Sequence, residues 1–309
     1  MADAHQGRAR LRQIIESGTA VVVPGAPNAL TARLIEEVGF RVAYVTGAGI
    51  ANTYLGVPDI GLLTLTEVAS HVAAIDAAVS IPLIVDADTG FGNAVNTWYT
   101  VRTLERAGAS ALQLEDQTFP KRCGHFEGKS TISGDEMADK IRAAADARTD
   151  PDLLIIARTD ARAEYGLAEA IRRVLLYREA GADVTFVEAP ESVEEIETVA
   201  REVPGPKVLN YVQGGKTPEM PLERLQELGY SIALYANLPL VVGMHAVRNL
   251  LEVMHRQGGV ADSPPFVNWT ERQAVVRKDF YDALGERYST APPITQNGAA
   301  PRDGVPVTP

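Results

Sequence analysis

The only cysteine of this 309-residue chain, Cys123, sits in the segment Phe119-Pro120-Lys121-Arg122-Cys123-Gly124-His125-Phe126-Glu127-Gly128-Lys129. Lys121, Arg122, His125 and Lys129 surround it with basic groups. They favour thiolate over thiol and let the sulfur exchange protons near neutral pH. The same cations suit an anionic substrate. Proline and glycine mark the segment as a loop, and its glycines allow it to open and close as a lid. An inert buried cysteine is the ordinary alternative, but a cysteine of that kind does not usually sit in such a basic loop.

A second constellation is Asp86-Ala87-Asp88-Thr89-Gly90-Phe91-Gly92. Two carboxylates at i and i+2 on a strand point the same way and repel unless a cation lies between them or one is protonated. Glu115 and Glu188, at the ends of other strands, add negative charge. An oxygen-rich cluster of this kind suits Mg2+ or Mn2+. The competing role for these acids is to pair with Arg158 and cap loops. Gly90 and Gly92 permit tight turns and close approach of a ligand. Thr46-Gly47-Ala48-Gly49 reads as a glycine-rich turn whose exposed N–H groups can hold a carboxylate, without the lysine and spacing of a P-loop. Arg158 can grip a carboxylate bidentately. Asn210 and Tyr235 are weaker candidates, and His71 and His245 read as packed histidines.

These groups need elements that bring them together. Short β-branched runs predict strands at Ala20–Val23, Val42–Val45, Leu83–Asp86, Ala111–Glu115, Leu153–Arg158, Val184–Glu188, Lys207–Tyr211 and Ile232–Tyr235. Apolar on both faces, they indicate a parallel sheet covered by helices. Thr64 with Glu67, and Ser133 with Glu136, have capping-box spacing. Gly39, Gly108, Gly181 and Gly229 end helices shortly before a strand, each suited to a left-handed position. Eight such units predict an α/β fold, a (β/α)8 TIM barrel, with additional C-terminal helices at Val241–Arg256 and Glu271–Arg287 around the Pro264-Pro265 break. One barrel domain over residues 1–290 and a disordered tail over 291–309 follow. Nearly every strand end then delivers a polar group to one rim, the face where barrel enzymes place their chemistry.

The net charge is −11 and the pI near 5.0. No basic stripe points to nucleic acid or an anionic membrane surface. An acidic protein repels anionic substrates, so local cations must offset the global field. A single cysteine excludes an intrachain disulfide. No apolar run reaches membrane-spanning length, and the first twelve residues lack a signal-peptide core, so the expected location is cytoplasmic.

The loop Lys121-Arg122-Cys123-Gly124-His125, taken with Asp86-x-Asp88-x-Gly90-x-Gly92 and Glu115-Asp116, resembles the isocitrate lyase and phosphoenolpyruvate mutase superfamily over roughly Arg8 to Tyr288. The resemblance implies a homotetramer that exchanges the eighth helix between subunits, Mg2+ held at Asp86 and Asp88, and a mobile loop carrying the catalytic cysteine. It implies that Tyr44, Thr46, Gly47 and Ala48 hold the α-carboxylate and 2-oxygen of a di- or tricarboxylate. Asp59 and Glu115 would support the metal from behind its direct ligands. Gly124, Arg158, Glu188 and Asn210 would line the substrate. Tyr44, Lys121 and His125 would act beside Cys123, the acid that protonates the departing carbanion.

The chain also departs from its relatives. Methylisocitrate lyases usually continue Cys-Gly-His with Arg-Pro-Asn, where this chain has Phe126-Glu127-Gly128. They carry an arginine after strand 8 for the third carboxylate, where this chain has Pro239-Leu240-Val241-Val242-Gly243. Losing that charge-assisted contact removes about 1.5–3 kcal/mol. The expectation is a Mg2+-dependent carbon–carbon lyase acting on a 2-alkylmalate such as 2,3-dimethylmalate. Methylisocitrate cleavage and oxaloacetate hydrolysis are the alternatives within enzymes, and a non-catalytic barrel scaffold is the alternative outside them.

Overall fold

A computed structural model describes residues 2–121, 130–260 and 265–289. Cys123, Gly124 and His125 lie outside these, as do Pro264 and the tail 291–309. Helix α1 (Ala2–Glu16) leads into eight parallel strands closed in sequence order. They are β1 (Val21–Ala26), β2 (Ala43–Val45), β3 (Leu83–Asp86), β4 (Ala111–Glu115), β5 (Leu154–Thr159), β6 (Val184–Val187), β7 (Lys207–Asn210) and β8 (Ile232–Tyr235). Pairing of Val21–Pro24 with Ile232–Tyr235 closes the barrel.

All eight expected strands are present, with bounds shifted by one to three residues at some ends. The largest shift is at β1, which runs on through Pro24 and Gly25 to Ala26. Its first four residues pair with β8 and its last two with β2. A Cβ on Gly25 would overlap the Ala236 carbonyl, so only glycine lets β1 pass the chain leaving β8.

Side chains alternate between two cores. Val45, Val85, Leu112, Leu114 and Ile155 face the helices, while Val23, Ile84, Ile156, Phe186 and Leu234 fill the barrel. Leu11, Ile14 and Ile15 of α1 belong to the interior set and plug the barrel floor. The other face stays open for polar groups.

The covering helices are α2 (Ala29–Val38), α4 (Leu65–Asp76), α5 (Ala94–Arg106), α6 (Gly134–Ala147), α8 (Leu167–Glu179), α9 (Val193–Glu202) and α10 (Leu222–Glu227). Short α3 (Gly47–Ile50) and α7 (Arg162–Tyr165) lie in the loops after β2 and β5. Gly39, Gly108, Gly181 and Gly229 take positive φ values of 101°, 113°, 112° and 75°, as their spacing requires. Thr64 and Glu67 form a full capping box, whereas Ser133 only accepts from the Glu136 N–H.

Helix α11 (Leu238–Gln257) starts earlier than expected, because Pro239 fits its first turn. The second expected helix is broken into α12 (Trp269–Val275) and α13 (Lys278–Tyr288) where Arg277 takes φ +55°. None of the 20 residues of α11 is buried, and Val241, Val242, Met244, Val247, Leu251 and Met254 are exposed. Among the described residues, no helix is long and apolar enough to cross a membrane.

Candidate functional site

The C-terminal ends of the strands surround a cavity of about 40 Å3. It holds only a few waters. β2 contributes Tyr44 and Thr46, β3 Asp86, β4 Gln113 and Glu115, β5 Arg158, β6 Glu188 and β7 Asn210. Asp59 and Lys121 reach it from loops. Four carboxylates on its wall thus face two cations, all at one buried rim.

Asp86 and Asp88 meet differently from the expected alternation along a strand. β3 ends at Asp86, and Asp88 sits in a turn with φ +48°. Asp tolerates that left-handed conformation better than most residues. The Asp86 carboxylate accepts the Asp88 N–H at Oδ1 (3.2 Å) and the Gly47 N–H at Oδ2 (3.2 Å). The Lys121 ammonium lies 2.6 Å from Asp59 Oδ1 and 2.7 Å from Asp88 Oδ1. Burial pushes the Asp88 carboxyl up to about 6, opposed by Lys121 and reinforced by Asp86 and Asp59. Burial also opposes charge on Lys121, but Asp88, Glu115, Asp86 and Asp59 together hold its pKa well above the ordinary lysine value. Glu115 is raised well above the usual carboxylate range by burial, and its Oε1 has no hydrogen-bond partner among the described residues.

Arg158 is fully engaged on one edge. Its Nε and Nη2 donate to Asp160 at 2.9 and 3.0 Å. Nη1 lies 3.3 Å from Glu115 Oε2, Nε lies 3.7 Å from Glu188 Oε2, and the guanidinium stacks 5.3 Å over the Phe186 ring. The fork expected to grip a substrate is therefore taken by Asp160, and Nη1 faces Glu115. Asp160 is itself placed by Asp116, wholly buried between β4 and β5. Asp116 accepts the Asp160 N–H (2.9 Å), the Thr159 hydroxyl (2.6 Å), the Tyr177 hydroxyl (2.7 Å) and Arg173 Nη1 (3.0 Å).

The expected open turn after Val45 is buried and helical. Thr46 caps α3 through the Gly49 N–H, and Gly47 donates to Asp86, so both N–H groups are taken. Ala48 stays on the cavity wall. Asn210 donates weakly to Glu188 at 3.3 Å, and its Oδ1 has no partner among the described residues. Tyr235 points away, donating to Glu219 at 2.7 Å. His71 is half-buried against Tyr54 (ring centroids 5.0 Å apart), whereas His245 is exposed on α11 rather than packed.

Two residues at the site went unread in the sequence. The Tyr44 hydroxyl donates to Gln113 Oε1 at 3.0 Å, leaving Gln113 Nε2 without a partner among the described residues. Gln113 lies two before Glu115, and the strand period would have placed both on one face. Thr46 donates to Asn237 Oδ1 at 3.0 Å, just past the end of β8.

Among the described residues, the acids at the cavity do not draw together as a tight three-ligand group. His5, Asp150 and Asp152 do, but at the opposite, N-terminal end of the strands, where Arg8 and Arg12 already pair with the two aspartates.

A closed eight-stranded barrel with an acid-rich, cation-balanced cavity at its C-terminal rim defines the class. Residues 11–255 match the family model described as phosphoenolpyruvate phosphomutase, and the chain belongs to that family. The resemblance to the superfamily it shares with isocitrate lyases is thereby borne out. A 2,3-dimethylmalate lyase from Eubacterium barkeri is 46% identical over 242 residues, covering 78% of this chain and 84% of that protein. A 2-methylisocitrate lyase from Aeropyrum pernix is 43% identical over 275 residues, covering 89% and 86%. The solved structure of oxaloacetate acetylhydrolase with 3,3-difluorooxalacetate superposes with a TM-score of 0.87 at 31% identity, covering 92% of this chain and 97% of that one.

Asp116→Ala would strip four buried donors of their shared acceptor and leave Arg173 with Glu169 as its remaining carboxylate. A loss of about 3–5 kcal/mol in denaturant unfolding is expected. A loss below about 1 kcal/mol would mean that Asp116 does not anchor this side of the site.

Proposed function

We propose that the protein is a divalent-metal-dependent carbon–carbon lyase that cleaves a 2-alkylmalate-type dicarboxylate, such as 2,3-dimethylmalate, to pyruvate and a short carboxylate. The observation that carries this reading is the rim itself, where Asp59, Asp86, Glu115 and Glu188 face Lys121 and Arg158. Among the described residues the acids offer oxygen donors, Glu115 Oε1 has no hydrogen-bond partner, and four carboxylates line the cavity against two cations. That set fits Mg2+ or Mn2+, with Asp86 and Asp88 as the residues to hold it and Asp59 and Glu115 behind them. Such an ion supplies Lewis-acid polarisation of a 2-hydroxyl and its neighbouring carboxylate.

The protein's own residues do the rest. Tyr44, Thr46, Gly47 and Ala48 bound the α-carboxylate end of the substrate, and Glu188 and Asn210 its far side. The 2-hydroxyl proton passes to a carboxylate of the acid cluster. The C2–C3 bond breaks, leaving a 2-oxo acid and the enediolate of the other fragment. Lys121, His125 and the Arg158 guanidinium offset that negative charge, and Cys123, beside Gly124, delivers a proton to carbon. Lys121 stands on the wall of the cavity, which is far smaller than the roughly 300–1,000 Å3 of pockets for organic ligands, so the wall must shift for substrate to enter.

The two-carboxylate reading draws support from the wall after β8, where Ala236 and Asn237 stand. Among the described residues, Lys121 and Arg158 are the only cations lining the cavity. The 46% identity to a 2,3-dimethylmalate lyase points the same way. Methylisocitrate cleavage draws support from the 43% relative; the 0.87 superposition on oxaloacetate acetylhydrolase keeps oxaloacetate hydrolysis to oxalate and acetate as a further reading, and a 2,3-dimethylmalate lyase superposes equally well.

The reading includes a cytoplasmic homotetramer built through α11. Its exposed apolar face borders a cavity of about 670 Å3 between α2 and α11. Exposed apolar patches of this kind mark protein interfaces.

With Mg2+ present, pyruvate release is expected from 2,3-dimethylmalate and 2-methylmalate, with nearly all turnover lost in Cys123→Ser. Release of succinate from 2-methylisocitrate, or of oxalate from oxaloacetate, at comparable rates would replace the 2-alkylmalate assignment. Light scattering is expected to give four chains per particle; a monomer would contradict the helix-exchanged assembly.

A further inference from the structure

The turn that carries Asp88 is held from outside the barrel by two side chains that no step above uses. Lys140 of α6 donates from Nζ to the Thr89 carbonyl at 3.0 Å, and Thr100 of α5 donates from its hydroxyl to the Gly90 carbonyl at 3.0 Å. Two consecutive carbonyls are thus caught by two different helices. Both donors are buried, Lys140 to 4% exposure and Thr100 to none.

From the inside, the Ala87 N–H donates to the Gln113 carbonyl and the Glu115 N–H to the Asp88 carbonyl, each at 2.9 Å. Between these grips the chain runs through left-handed φ at Asp88 (48°), Gly90 (84°) and Phe91 (57°). A non-glycine residue stays in that region only where its surroundings hold it.

Lys140 is hard to explain as packing. Its neighbours on the buried face of α6, Met137, Ile141 and Ala144, are apolar. A buried ammonium is costly unless it has a task or a carboxylate partner. Among the described residues its ammonium donates to a single atom, the Thr89 carbonyl. Burial lowers its pKa, while Glu136 and Asp116 act to support its charge.

We propose that Lys140 and Thr100 are positioning residues that hold the Asp86–Gly90 turn in the shape its carboxylates need to bind a divalent cation. This rests on the metal reading above. Lys140 does not touch the cation; it fixes the peptide next to Asp88 and so fixes where that carboxylate points.

The test is Mn2+ titration followed by electron paramagnetic resonance of the free ion. It uses the full chain as wild type, Lys140→Met and Thr100→Val, with thermal melts alongside. Wild type is expected to bind Mn2+, and both variants to bind it at least about tenfold more weakly while still melting cooperatively. Folded variants that bind Mn2+ as wild type does, with only a lower melting temperature, would overturn the proposal and leave the metal reading standing. Wild type that takes up no Mn2+ would overturn both. If Lys140→Met does not fold, Thr100→Val decides, since valine keeps the shape and removes only the hydroxyl.

Discussion

The rest of the site depends on the compensation of carboxylates gathered at one buried rim. Carboxylates brought together away from water raise each other's pKa and push their elements apart unless cations stand among them. Here Lys121 stands between Asp59 and Asp88, and Arg158 among Asp160, Glu115 and Glu188. The same two cations are what an acidic protein needs in order to admit an anionic substrate. On the proposed reading a divalent cation and Lys121 compete for one set of acids, Asp88 above all.

The barrel makes this arrangement possible by separating what it buries from what it presents. Leu11, Ile14 and Ile15 close the floor with apolar side chains, so the polar groups collect at the opposite rim. Rigidity comes from the layer behind it. Asp116, with its four donors, sets Asp160 and through it Arg158, while Lys140 and Thr100 pin the Asp88 turn. Helix α11 does the reverse of its neighbours: it leaves its apolar face outside.

Much of this was legible in the sequence because the barrel repeats itself. Eight apolar runs, four of them preceded by a glycine that ends a helix, fix the strands to within a few residues. The polar residue at each strand end then identifies the rim. What failed did so for physical reasons. Asp86 and Asp88 were read as strand neighbours, but the strand stops between them, and tertiary contacts rather than local preference set the turn. The glycine-rich segment after Val45 looked like an open anion cradle, yet Thr46 and Asp86 consume its N–H groups. Tyr235 obeys the strand-end rule and still points outward. The pairing of Asp116 with Arg173, 57 residues apart, has no local signature. Gln113 was available from the two-residue period that exposes Glu115.

The most direct measurement is the anomalous diffraction of crystals grown with Mn2+. The account predicts an ion at coordination distance, about 2.0–2.2 Å, from a carboxylate oxygen of Asp86 or Asp88, with the Lys121 ammonium moved off Asp88. Lys121 remaining between Asp59 and Asp88, with Mn2+ absent from the rim or gathered at His5, Asp150 and Asp152, would contradict it.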